Sequence, residues 1–158
     1  GADKIVVNTE AVLRPSLVRE LAEVFGAQSV LVSVDVRGDS RRGWIPLVRS
    51  AQEAVERDVL ELLEDLVACG AGEILLTSVD REGTLSGLDL GLYRQVRPRV
   101  SVPLIASGGA ENYLHLTELF SSTECDAVGL GKMLSLRDYD MVRIKSFLHG
   151  RGIPVREA

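Results

Sequence analysis

Apolar residues recur along this chain with two spacings. At 4–8, 29–35, 73–80, 103–109 and 127–131 they gather in short β-branched or aliphatic runs, the pattern of strands in a buried parallel sheet. Between the runs, apolar positions fall three or four residues apart, the spacing of one helix face. Strands alternating with helices predict βαβ units, a parallel sheet and right-handed crossovers.

The helix limits carry their own marks. Pro15 suits a first turn, and Leu17, Val18, Leu21, Ala22 and Phe25 form an apolar face that stops at Gly26. Ser50-Ala51-Gln52-Glu53 reads as a capping box opening a second helix. Its face is Val55, Val59, Leu62, Leu63 and Leu66, with a stop at Gly70. Shorter periodic stretches predict helices at 89–96, closed before Pro98, and at 113–120 and 139–148. The segment 36–49, with Gly38, Gly43 and Pro46 among Arg37, Arg41, Arg42 and Arg49, is predicted as one long basic loop. No linker or low-complexity tract interrupts 1–158, so a single domain is expected.

Composition narrows the picture. The 158 residues are 46% hydrophobic but only 4% aromatic, so the core must be aliphatic. A net charge of −5 argues against a general nucleic-acid binder. No apolar run approaches a membrane span and no signal peptide is recognisable, so a cytoplasmic protein is expected. Cys69 and Cys125 follow no metal spacing; reduced thiols, no metal and no cofactor are expected. Gly1-Ala2-Asp3-Lys4 leads almost at once into Ile5-Val6-Val7, which reads as the later part of a longer protein.

Polar residues collect where the strands finish: Asn8-Thr9, Asp35, Thr77-Ser78-Val79-Asp80, Ser107-Gly108-Gly109 and Gly131-Lys132. In α/β sheets and barrels that rim is the ligand face. Turn-forming tendency accounts for the glycines but not for Asn8, Asp35 and Thr77. Ser107-Gly108-Gly109-Ala110 before a helix makes an anion cradle from backbone N–H groups and a helix N-terminus. Lys132 either adds a point charge to the same anion or is a solvated side chain. Asp80-Arg81-Glu82-Gly83-Thr84 is either a second anion loop or an ordinary turn capped by Asp80. Asp35, after Val30-Leu31-Val32-Ser33-Val34, is the best general acid–base candidate. His115 and His149 fall in helical segments without metal partners and are expected at the surface or at helix ends.

Several stretches together carry a family resemblance. They are 1–9, Phe25-Gly26-Ala27-Gln28 leading to Asp35, 70–78, Asp80-Arg81-Glu82-Gly83-Thr84, Ile105-Ala106-Ser107-Gly108-Gly109-Ala110, and Gly152-Ile153-Pro154-Val155-Arg156. In that order the chain resembles the imidazole glycerol phosphate synthase cyclase subunit. The resemblance implies a partial TIM (βα)8 barrel, five parallel βα units corresponding to barrel strands 4–8. It implies a substrate phosphorylated at both ends, held by two phosphate sites across the barrel mouth.

The family condenses ammonia with a phosphoribulosyl-formimino aminoimidazole carboxamide ribonucleotide in histidine biosynthesis. It then cyclises and cleaves the adduct to imidazole glycerol phosphate and an aminoimidazole carboxamide ribonucleotide. A separate glutaminase supplies the ammonia through the barrel. By position, Asp35 matches a catalytic aspartate and Asn8 and Thr9 match one phosphate site. Glu82, Gly83, Gly108, Gly109, Gly131 and Lys132 match the other, Thr77 and Ser107 line the pocket between, and Lys4 and Glu73 match an ammonia gate.

There are departures as well. The family's other catalytic aspartate lies on the first barrel strand, outside the matched units, so the isolated chain is expected to lack turnover. Glu82 stands where an aspartate is usual and Lys132 where a small hydroxyl residue is usual. The segment 36–49 lacks the usual glycine-rich, threonine-bearing stretch, and Arg42-Gly43-Trp44 is similar to the sister phosphoribosyl isomerase. The alternatives are that isomerase, a cyclase-like protein supplying ammonia for cell-surface sugar amidation, or a phosphate-binding partial barrel without catalysis. Two open parallel edges would also favour a homodimer.

Overall fold

The five apolar runs fold as strands that pair in parallel in the order of the chain. The computed structural model describes residues 1–136 and 140–156. β1 (Ile5–Val7) is followed by α1 (Thr9–Leu13) and α2 (Ser16–Phe25), and a 3-10 turn at Ala27–Ser29 leads into β2 (Val30–Asp39). β3 (Gly43–Val48), β4 (Glu53–Ala54) and α3 (Val59–Ala68) precede β5 (Glu73–Ser78). α4 (Leu90–Val96), β6 (Leu104–Ser107), α5 (Tyr113–Ser122), β7 (Ala127–Gly129), α6 (Lys132–Leu136) and α7 (Met141–His149) complete the described elements. β2 pairs in parallel with β1 and β5, β5 with β6, and β6 with β7.

Alternation along these strands divides the sheet into two unlike faces. Val30, Val32, Val34 and Val36 of β2, Ile74 and Leu76 of β5, and Leu104 and Ala106 of β6 are all buried. They share one core with Val18, Leu62, Leu63, Leu66, Leu92, Leu116, Leu119, Ile144 and Leu148 from the helices. The opposite face carries Val6, Leu31, Leu75 and Ile105, and Val6 is 61% exposed. A parallel sheet whose neighbours follow chain order, with its helices on one side, has barrel-type connectivity. A doubly wound sheet would reverse its order part-way.

The segment 36–49 is not a loop. β2 continues to Asp39, and β3 returns antiparallel to it, with Val36 opposite Pro46 and Gly38 opposite Trp44. Asp39 closes the tip by accepting the N–H groups of Arg41 and Arg42 at 2.9 and 2.8 Å, and Gly43 takes a φ of +80°. Those two N–H groups hold the half-buried Asp39 carboxyl below its usual pKa. Trp44-Ile45-Pro46-Leu47-Val48 is a β-forming stretch, and the surrounding glycines and arginines hide it from a composition-based reading.

The capping box at Ser50 opens no helix. Arg49, Ser50 and Ala51 all have positive φ, at 55°, 59° and 61°, and Glu53 pairs with Val48 in β4. The helix starts later, where the Asp58 side chain accepts from Leu60 N at 2.8 Å and Glu61 N at 3.0 Å. Asp58→Ala is therefore expected to lower stability by about 1 kcal/mol in urea denaturation. Of the last predicted helix, Tyr139 lies outside the described residues. α7 is observed from Met141, with Asp140 accepting from Arg143 N at 2.7 Å. No described helix is long and apolar enough to cross a membrane.

Candidate functional site

Parallel register sets the polar residues side by side. Asp35 lies opposite Thr77, Thr77 opposite Ser107, and Ser107 opposite Gly129. Residues in register on parallel strands face the same way, so these side chains form one row on the uncovered face. Asn8, just past β1, joins the row: its Nδ2 donates to Asp35 Oδ2 at 3.2 Å and approaches Ser33 Oγ at 3.4 Å. Asp35 is half-buried. Thr9 faces another task. Its hydroxyl donates to Asn8 Oδ1 at 3.3 Å and accepts from Arg49 N at 2.9 Å, tying the turn after β3 to the rim.

The turn after β6 is a glycine-lined cleft. Gly108 and Gly109 have φ of +101° and +95°. A Cβ on Gly108 would lie 2.5 Å from Ser78 O, and one on Gly109 only 2.3 Å from Gly87 O. Glu82, Gly83, Gly108, Gly109, Ala110, Gly129, Gly131 and Lys132 line the same cleft. Among the described residues, the N–H groups of Gly109, Ala110 and Gly131 have no hydrogen-bonded acceptor. Lys132 Nζ reaches in and donates to Gly83 O at 2.7 Å.

The expected helix N-terminus does not contribute to this cleft. α5 begins at Tyr113, and the Asn112 side chain already accepts from Leu114 N and His115 N at 2.9 and 3.1 Å. Any anion held here would meet turn amides and the Lys132 ammonium instead. His115 stands half-buried in the first turn of α5, at a helix end as expected, and its Nδ1 accepts from Glu111 N at 3.3 Å. At the far end of the uncovered face, Lys4 Nζ pairs with Glu73 Oε1 where β5 starts.

The family model described as Histidine biosynthesis protein matches residues 1–140. The chain belongs to that family. Two curated members of the histidine biosynthesis protein family illustrate the likeness. The chain is 42% identical over 156 residues to the imidazole glycerol phosphate synthase subunit HisF of Chloroherpeton thalassium, covering 99% of this chain. It is 40% identical over 157 residues to the subunit of the same name from Geobacillus thermodenitrificans. The chain spans 62% of the length of each of these relatives. Membership fits the observed α/β fold with its mostly parallel, barrel-type sheet.

Asp89 and Tyr93 were not picked out by sequence reasoning, and Trp44 entered it only through the likeness of Arg42-Gly43-Trp44 to the sister isomerase. Asp89 Oδ2 accepts from Trp44 Nε1 at 3.1 Å and from Ser78 Oγ at 3.3 Å, while its Oδ1 caps α4 at Leu92 N. With Asp80 Oδ2 accepting from Gly38 N at 2.7 Å, it clamps the β2–β3 hairpin to the loop after β5. Asp80 thus serves the hairpin and not its own turn. Trp44 is the hairpin's side of this clamp. Tyr93 sits behind the rim, fully buried, with its hydroxyl at Ser107. Burial pushes its phenol well above the ordinary range, so it is a neutral donor. One signal was available: a lone tyrosine in an aliphatic helix face needs a partner for its hydroxyl.

Proposed function

We propose that this chain is an arc of five βα units, equivalent to barrel strands 4–8, from a cyclase of the imidazole glycerol phosphate synthase type. On this reading its strand-end rim grips a substrate phosphorylated at both ends. Asn8 and Thr9 serve one phosphate, with the side chain of Thr9 steadying Asn8. Gly83, Gly108, Gly109, Gly131 and Lys132 serve the other, with Glu82 at its edge. Thr77 and Ser107 line the span between. Asp35 moves the proton during ring closure and cleavage. Ammonia from a separate glutaminase enters past Lys4 and Glu73 at the opposite end.

The observation that carries this reading is the single row of Asn8, Asp35, Thr77 and Ser107 running into a glycine cleft with free N–H groups. A carboxylate held by an amide beside an anion grip is the arrangement that proton transfer on a phosphorylated substrate requires. On this reading turnover also needs the family's second catalytic aspartate, from the first barrel strand, so the five units by themselves bind phosphate without turnover. The parallel edges at β1 and β7 pair with another copy or with further barrel strands.

Inorganic phosphate titrated into the isotope-labelled chain is expected to move the amide signals of Asn8 and Thr9 and, separately, those from Gly108 to Ala110 and of Gly131 and Lys132. A barrel completed to the relatives' length is expected to turn over the ribonucleotide with ammonium salts. Silence at both rims in the titration would remove the reading. A second reading draws on Lys132, whose ammonium occupies the cleft at Gly83 O. This is a cyclase-like paralogue working with an amidotransferase on another acceptor, and failure of the completed barrel to turn over the ribonucleotide, with phosphate binding intact, would favour it.

A further inference from the structure

Among the described residues, the helical layer behind the sheet contains one phenol hydroxyl at complete burial. Tyr93 on α4 lies beside Leu92 and Val96, all 0% exposed, and its side chain reaches the last residues of β5 and β6. There its oxygen is 2.7 Å from Ser107 O, 3.1 Å from Ser107 N and 3.2 Å from Leu76 O. A phenol has one proton and two lone pairs. Donation to Ser107 O, the shorter contact, leaves a lone pair to accept the Ser107 N–H. The hydroxyl therefore grips both backbone groups of a single residue, the one immediately before Gly108 and Gly109.

This placement matters because of where the ladder stops. Thr77 opposite Ser107 is the last pair between β5 and β6. Ser107 O belongs to the rigid peptide unit that continues into Gly108, so fixing that oxygen also fixes the direction of Gly108 N–H. The next two residues are glycines at φ of +101° and +95°, where rotation of a peptide plane meets little steric resistance. An anion cradle needs its N–H groups aimed before the ligand arrives.

We propose that Tyr93 is a positioning residue for the anion cleft, setting the Ser107–Gly108 peptide from behind the sheet and through it the aim of the Gly109 N–H group, while Gly109 O accepting from Gly87 N sets that of Ala110. The inference rests on the reading of that cleft as an anion grip.

Tyr93→Phe keeps the ring and removes only the oxygen. Inorganic phosphate titrated into the isotope-labelled full chain is expected to bind this variant about tenfold more weakly at the cleft. In the free variant the amide signals from Gly108 to Ala110 should shift. Phosphate-induced changes at Asn8 and Thr9 should match the wild type, which a general loss of packing would not predict. Wild-type affinity at the cleft in Tyr93→Phe, whatever its melting temperature, would overturn the positioning role and leave the anion grip standing. Absence of any phosphate effect at the cleft in the wild type would overturn the grip and the inference together.

If the variant does not fold, amide exchange in the wild type decides. Saturating phosphate should slow exchange at Ser107 together with Gly109 and Ala110. Slowing at the two latter positions alone would count against the proposal.

Discussion

Gly109→Ala is expected to abolish phosphate binding at the turn after β6 and to lower unfolding free energy by about 2–4 kcal/mol. The added methyl would lie 2.3 Å from Gly87 O, 3.0 Å from Gly87 C and 3.0 Å from Arg81 Cβ. The backbone there sits at a φ of +95°, which a side chain rarely adopts. Relaxation is blocked because Gly87 N donates to Gly109 O at 2.9 Å, so the two backbones hold each other at this separation. Moving them apart breaks that bond and turns the Gly109–Ala110 peptide, with its Ala110 N–H, out of the cleft. Gly131 is a useful contrast, since its nearest neighbour in the same test is Glu82 Oε1 at 3.9 Å. Urea denaturation and calorimetric titration with inorganic phosphate measure the two effects. Undiminished phosphate affinity in Gly109→Ala would place the grip elsewhere.

Asp35→Asn should lower ammonium-dependent turnover by about a hundredfold or more, with phosphate affinity unchanged. The exchange is nearly isosteric, and asparagine still offers an oxygen to Asn8 Nδ2, now 3.2 Å from Asp35 Oδ2. What it removes is the ability to take up and return a proton. The phosphate contacts belong to other residues, so binding and chemistry should separate cleanly. The measurement is kcat with the ribonucleotide and ammonium salts in a barrel completed to the relatives' length, beside a phosphate titration of the same variant. Persistence of activity would mean that another group moves the proton.

The parallel strands were legible in the sequence because their burial depends on β-branched residues that few other elements use. Val30, Val32, Val34 and Val36 fill one side of β2 in an uninterrupted series. The helix ending at Gly26 and the apolar face of α3 were equally plain, since their spacing and their stops agree. The hairpin was not, because glycine, proline and arginine suggest a loop until the pairing partner is known. The false start at Ser50 has a different cause. Three consecutive residues there adopt left-handed backbone with no glycine among them, held in part by Thr9 accepting from Arg49 N forty residues away in sequence. Local pattern cannot anticipate a conformation imposed from that distance.

The site shows the same division. Asn8, Asp35, Thr77 and Ser107 could be proposed singly from their positions after apolar runs. Their alignment depends on register, and Asn8 and Asp35 meet across 27 positions of sequence. Tyr93 escaped notice because its bonding partners are backbone groups on strands, and a backbone group leaves no mark in the residue alphabet.

Alternation along each strand also separates two kinds of evolutionary freedom. In β2, β5 and β6 the even-numbered residues Val32, Val34, Ile74, Leu76, Leu104 and Ala106 are buried under helices. The odd-numbered Ser33, Asp35, Thr77 and Ser107 point to the other side. Mutations at even positions are filtered by whether the protein still folds, and those at odd positions by what it recognises. A lineage can therefore exchange one ligand for another on a scaffold whose hydrophobic half never changes.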